Sequence, residues 1–182
     1  MKATGIVRRI DDLGRIVVPK EIRRTLRIRE GDPLEIFTNR EGEIMLRKYS
    51  PVGELGAFAR TYAQALAQTT EALVCITDRE YVIAAAGAGK KEVEGEPLNE
   101  EIEEMIEKRS TIVKTGEEPS CSIIKKKMSV PPKGMVLSSI LCNGDCQGAV
   151  ILADKSGQKE TLELLKALAF TAANFLGKNM EQ

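Results

Sequence analysis

TGIVRRIDDLGRIVVPKEIRRTLRIREGDPLEIF, residues 4–37, carries strand, turn and helix signals in close succession. Thr4–Ile10 is rich in β-branched residues and alternates: Ile6, Arg8 and Ile10 share one face and Val7 and Arg9 the other, the period of a strand. Asp11-Asp12-Leu13-Gly14 supplies turn chemistry, with Gly14 free to take a positive φ. Arg15–Val18 then reads as a second strand, ended by Pro19. Proline suits the first turn of a helix, and Lys20–Leu26 continues with good helix formers. At about 100° per residue, Ile22 and Leu26 fall within about 40° of each other, while Arg23, Arg27, Lys20 and Arg24 fill an arc of about 100° on the roughly opposite side. A short helix is expected, with one face buried and the other basic.

Beyond Gly31-Asp32, the stretches Leu34–Thr38 and Glu43–Lys48 alternate as strands joined through Asn39-Arg40-Glu41-Gly42, a β-hairpin. Four short strands and two turns of helix within about fifty residues cannot bury much apolar surface, and open strand edges invite association. An obligate dimer is the expected remedy. Its symmetry would set two copies of the basic loop and helix side by side.

The chain of 182 residues has a formal net charge of zero that hides an asymmetry. Residues 1–50 hold 12 Lys/Arg against 8 Asp/Glu, a net of +4, and the remainder carries −4. Within the first 29 residues there are 9 basic against 3 acidic side chains, and seven of the nine are arginine. A planar fork of donors binds phosphates and guanine edges bidentately where an ammonium does not, so clustering of arginine favours nucleic acid over a merely solvated surface. Single-stranded nucleic acid is disfavoured, because residues 1–48 offer one aromatic, Phe37, for base stacking.

The run Thr4–Phe37 resembles the AbrB-type swapped-hairpin DNA-binding domain. The resemblance implies a small barrel made by two interleaved chains, and double-stranded DNA as partner. It also implies that Arg8, Arg15, Arg23 and Arg24 occupy the DNA-contact positions, with Arg9, Lys20 and Arg27 as secondary candidates. For any single arginine the competing account is a surface ion pair, such as Arg15 with Asp11 or Asp12.

Ser50-Pro51 marks the expected boundary between a domain at 1–50 and one at 51–182. Val52, Leu55, Phe58/Ala59, Tyr62 and Leu66 recur at helical spacing to about Gln68. Ala72–Thr77 and Tyr81–Ala86 read as strands around the turn Asp78-Arg79-Glu80. Glu92–Glu107 carries eight glutamates, yet Leu98, Ile102, Met105 and Ile106 keep a helical period, so an acidic, solvated helix is expected there. Strands follow at Cys121–Lys125 and Met135–Leu141, a hairpin turn at Asn143-Gly144, a strand at Gln147–Ala153, and a helix from about Gln158 to Asn179. The order α-β-β-α-β-β-β-α, with the hairpin ALVCITDREYVIAAAG, resembles a GAF domain. The fold class expected is therefore α+β, a two-chain swapped-hairpin barrel followed by a GAF-like antiparallel sheet with packed helices.

GAF domains are often small-molecule receptors and often pair through their first and last helices. A small-molecule effector is accordingly an expectation, with its binding residues unidentified. The apolar stripes on 52–66 and 162–176 fit a bundle between chains, which would make a homotetramer, and fit equally a cover for the domain's own sheet. The chain lacks histidine, which removes the commonest general base and half of the usual zinc ligands. No metal, cofactor or catalytic residue is expected, and Cys75, Cys121, Cys142 and Cys146 read as free thiols. With no membrane span and a charged N-terminus, a cytoplasmic, nucleoid-associated bacterial protein is expected. Joining the two domains resembles regulators that activate some promoters and repress others among late, forespore sporulation genes. The alternatives are an antitoxin-type autorepressor that neutralises a protein toxin, and an enzyme whose N-terminus only dimerises.

Overall fold

A computed structural model describes residues 6–116 and 122–181. The chain divides between Tyr49 and Ser50 into two compact units. In the first, residues 6–19 have no regular secondary structure, helix α1 (Lys20–Thr25) follows, and the hairpin β1 (Leu34–Thr38) and β2 (Ile44–Lys48) comes after it. Glu35 faces Arg47 and Phe37 faces Met45 across the ladder. The Arg47 guanidinium bonds Glu35 at 2.9 Å and lies over the Phe37 ring at 4.7 Å, cross-strand contacts of the kind that stabilise a hairpin.

The strands expected at Thr4–Ile10 and Arg15–Val18 are not formed. Thr4 lies outside the described residues, and 6–10 and 15–18 carry no ladder. Two backbone bonds close the turn between them, Asp11 N–H to the Arg15 carbonyl and Gly14 N–H to the Asp11 carbonyl, each at 3.0 Å. The physical reason is a missing partner: a strand exists through its hydrogen-bonded neighbour, and among the described residues of the chain these segments have none. Their apolar side chains remain open, Val7 at 87 % and Val17 at 71 % exposure. The buried face expected of α1 is also absent. No residue of the helix is buried and Leu26 is exposed.

The second unit follows the α-β-β-α-β-β-β-α order, with differences in detail. Ser50 Oγ accepts the Gly53 N–H at 3.1 Å and caps α2 (Pro51–Glu54), after which α3 (Gly56–Thr70) begins. Strands β3 (Leu73–Thr77) and β4 (Val82–Ala86) flank the Asp78 turn, whose carboxylate accepts the Glu80 and Tyr81 N–H groups at 2.8 and 2.7 Å. The single acidic helix expected over Glu92–Glu107 is two pieces, α4 (Lys90–Val93) and α5 (Glu100–Glu107). Gly95 at φ +81° and Pro97 break it, and Asn99 caps α5 by accepting the Glu101 N–H. The fifth strand is β5 (Thr111–Thr115), not Cys121–Lys125. Cys121 lies outside the described residues, and Ile124 makes one isolated bridge to Leu98.

Strands β6 (Gly134–Cys142) and β7 (Asp145–Asp154) turn at Asn143-Gly144, both at positive φ, and α6 (Lys159–Met180) ends the unit. The sheet order is β4-β3-β7-β6-β5, every pair antiparallel. Strands β3, β4, β6 and β7 place side chains in two buried layers, whereas edge strand β5 holds no buried residue. Val74, Ile76, Val136, Val150 and Leu152 pack with Val52, Ala59, Leu165, Ala172 and Leu176 of the flanking helices. Leu73, Cys75, Leu137, Ala149 and Ile151 pack with Val93, Ile102, Met105 and Ile106 of α4 and α5. Burial on both faces is why these strands read as nearly continuous apolar runs. Cys75, Cys142 and Cys146 are buried free thiols, and burial pushes the Cys75 thiol up to about 12.

Of the two readings of the helical stripes, the cover for the unit's own sheet is formed within the chain. The inner faces of α3 and α6 cover the unit's own sheet. At the margin of that packing, Phe58, half-buried Tyr62 and Phe175 form one aromatic cluster, with ring centroids 5.4 to 6.1 Å apart. Phe58, Phe170 and Phe175 are exposed. Among the described residues, no helix is long and apolar enough to cross a membrane.

Candidate nucleic-acid interface

The basic side chains of the first unit arise from three local structures. Arg8 and Arg9 precede the turn, Arg15 leaves it, and Lys20, Arg23 and Arg24 lie on α1; all six are exposed. Among the described residues, none of Arg8, Arg23 and Arg24 is held in an ion pair, which leaves their guanidinium donors open to a phosphate. Arg27 departs from the helical arc expected for it. The helix ends at Thr25, Leu26 caps it, and Arg27 takes φ +52°, with its carbonyl accepting Lys48 Nζ at 3.0 Å. Lys48 also pairs with Asp32 at 3.3 Å, tying β2 back to the loop that precedes β1.

The turn before Arg15 is built by one side chain. Asp11 Oδ1 accepts the Leu13 N–H at 3.0 Å and the Arg15 N–H at 2.8 Å, and Oδ2 accepts Arg15 Nε at 2.8 Å. Gly14, at φ +75°, donates its N–H to the Asp11 carbonyl at 3.0 Å. The backbone and side-chain bonds from Arg15 hold the Asp11 carboxyl below the usual carboxylate range. The ion pair weighed for Arg15 is thus formed with Asp11, and it engages only Nε. Sequence reasoning recognised the turn but not this role. The signal available was an Asp four residues before an Arg across a Gly-containing turn.

In the second unit, an open cleft of about 360 Å³ lies between the end of α3, the loop at 128–132, the end of β7 and the start of α6. Leu73, Met128 and Val130 give it apolar walls, and Glu71, Asp154 and Lys155 are its charged lining residues.

Comparison with known proteins agrees with both halves. Residues 54–181 match the family described as stage V sporulation protein T C-terminal, transcription factor, and residues 7–54 match the family described as antidote-toxin recognition MazE, bacterial antitoxin. Stage V sporulation protein T of Bacillus subtilis (strain 168) is 47 % identical over 182 residues, covering all of both chains. The transition state regulatory protein AbrB of the same organism is 59 % identical over 51 residues, which cover 28 % of this chain and 52 % of that protein. A GAF domain of A. aeolicus nlh2 superposes with a TM-score of 0.52 at 12 % identity, covering 72 % of this chain and 85 % of the other. At that identity the likeness speaks for the GAF fold alone. With the C-terminal family model matched across residues 54–181 and a full-length relative at 47 % identity, the chain belongs to the stage V sporulation protein T family of transcription factors.

Proposed function

We propose that the chain binds double-stranded DNA in a sequence-dependent manner as a regulator of late sporulation promoters, activating some and repressing others. Residues 1–50 form the DNA-binding and dimerisation domain by interleaving with a second copy, and Arg8, Arg15, Arg23 and Arg24 contact the duplex. Arg9 and Lys20 add phosphate contacts at the margin, and Arg27 does so from the loop rather than from the helix. Residues 51–182 form the GAF-like domain, which joins dimers into a tetramer through Phe58, Tyr62 and Phe175, and its cleft is where a small-molecule effector would act. The observation that carries this reading is that four arginines stand exposed on the same short segment that leaves Val7, Ile16 and Val17 without cover. A second chain that paired residues 6–18 would bury the apolar side chains and array the arginines of both copies together.

The antitoxin reading is less well supported. The match to the antitoxin family stops at residue 54, whereas the residues beyond it hold a sheet buried on both faces rather than an unstructured toxin-wrapping tail. The test is binding of the full chain to promoter duplexes of the host genome, beside scrambled duplex and single strand of equal length. The expected order is promoter duplex tightest and single strand weakest. No binding to any duplex at 50 mM salt would overturn the reading, and a sedimentation profile showing only dimers at micromolar concentration would overturn the tetramer.

A further inference from the structure

The Asp11 carboxylate bonds Arg15 twice, once at its backbone and once at Nε, while also fixing the Leu13 N–H. One oxygen shapes the turn and the other aims the side chain. Nε is the inner nitrogen of the guanidinium, so holding it leaves the outer edge, Nη1 and Nη2, to meet two acceptors at once. That edge matches a phosphate or the O6/N7 pair of guanine. The Arg15 side chain is 69 % exposed, and no other bond to its guanidinium is found among the described residues.

By charge alone, a carboxylate this close to a DNA-facing arginine weakens binding, because it repels phosphate. An exposed ion pair also adds little to stability. What a held Nε contributes is order before DNA arrives. Fixing a long side chain on binding lowers affinity by a factor of about 2 to 12, and a side chain already fixed avoids that loss only on a sequence that suits its one orientation.

We propose that Asp11 is a positioning residue for DNA reading: it presents the outer edge of Arg15 in one orientation and so raises discrimination between cognate and random duplex. The proposal rests on Arg15 contacting DNA. Full-length wild type, Asp11→Asn, Arg15→Ala and the double variant would be compared on a promoter duplex recovered with the wild-type chain from host genomic DNA, and on its scrambled counterpart. Asn keeps an acceptor for the turn and removes the charge. Melting temperature and sedimentation are recorded for each.

Asp11→Asn is expected to lower the ratio of promoter to scrambled affinity by about 2- to 12-fold per half-site, with affinity for scrambled duplex unchanged or raised. In the Arg15→Ala background the same change should move the ratio less than about twofold. If Arg15→Ala lowers the ratio and Asp11→Asn does not, positioning is refuted while the DNA contact stands. If Arg15→Ala leaves the ratio intact, the contact itself is refuted and positioning with it. Equal loss on both duplexes together with a lower melting temperature, or an equal loss of ratio with and without Arg15, would also refute positioning.

Discussion

Replacing Arg23 by alanine tests the assigned interface through salt. Each arginine that neutralises a phosphate releases condensed counterions, so log K falls with log salt at about −0.9 per contact on duplex DNA. Arg8, Arg15, Arg23 and Arg24 in two copies make eight contacts, a slope of about −7, so raising salt from about 50 to about 200 mM should weaken binding by about 10⁴-fold. Arg23→Ala removes two contacts and should bring the slope to about −5.4. Arg23 lies in a helix with no buried residue, and alanine is the best helix former, so the change leaves the unit's packing intact. Arg47 is the matched control. Its guanidinium is committed to Glu35 and to the Phe37 ring, and Arg47→Ala should leave the slope within about 0.5 of the parent. Fluorescence anisotropy over that salt range reads all three proteins. A parent slope shallower than about −2, or one that Arg23→Ala does not change, would refute phosphate contact by these arginines.

Three further outcomes follow from the same geometry. Val17→Asp places a charge among side chains that a second chain would cover. It should abolish both dimer formation through residues 1–50 and duplex binding in sedimentation and anisotropy, while circular dichroism shows the second unit still folded. A Cβ at Gly177, where α6 crosses β6, would overlap the Leu141 carbonyl oxygen. Gly177→Ala should cost about 1–3 kcal/mol of the second unit's stability in urea unfolding, and an unchanged midpoint would place the helix further from the strand. Cys75 is fully buried with its thiol at about 12, so native protein should not react at this position with a thiol reagent at about pH 8; rapid native labelling of Cys75 would contradict its place in the core.

The hairpin at 34–48 was legible because turn chemistry and side-chain alternation agree there, and those at 72–87 and 136–153 because turn residues separate two largely apolar runs. The helix expected at 92–107 kept its apolar period while Gly95 and Pro97, only two residues apart, broke the backbone. Periodicity alone therefore joined α4 to α5. Strand β5 was missed because its identity depends on Val136 and Leu137, its partners from far along the chain, and TIVKT by itself is too short to compel a strand. The strands expected before and after the Asp11 turn have the right residues but no partner among the described residues of the chain, and a pattern that marks β structure does not say where the ladder lies. Of the candidate site, composition located the basic cluster and resemblance singled out four positions. The hold of Asp11 on Nε needed coordinates, because Asp-x-x-Gly reads as a turn wherever the side chain points.

The contrast between the two units bears on why they share a chain. The second buries a sheet on both faces and needs no partner to do so. The first leaves Val7, Ile10, Leu13, Ile16 and Val17 open, so on the proposed reading its fold, and the DNA contact that depends on the fold, are governed by mass action. Once one barrel of the tetramer holds DNA, the second, tethered through the aromatic side chains of α3 and α6, would meet a neighbouring stretch of duplex at an effective concentration of the order of millimolar. That exceeds what a sparse regulator reaches in free solution. The GAF-like unit would then support DNA binding even with its cleft empty, and an effector need only alter how the helices pair to alter how many arginines face the duplex together.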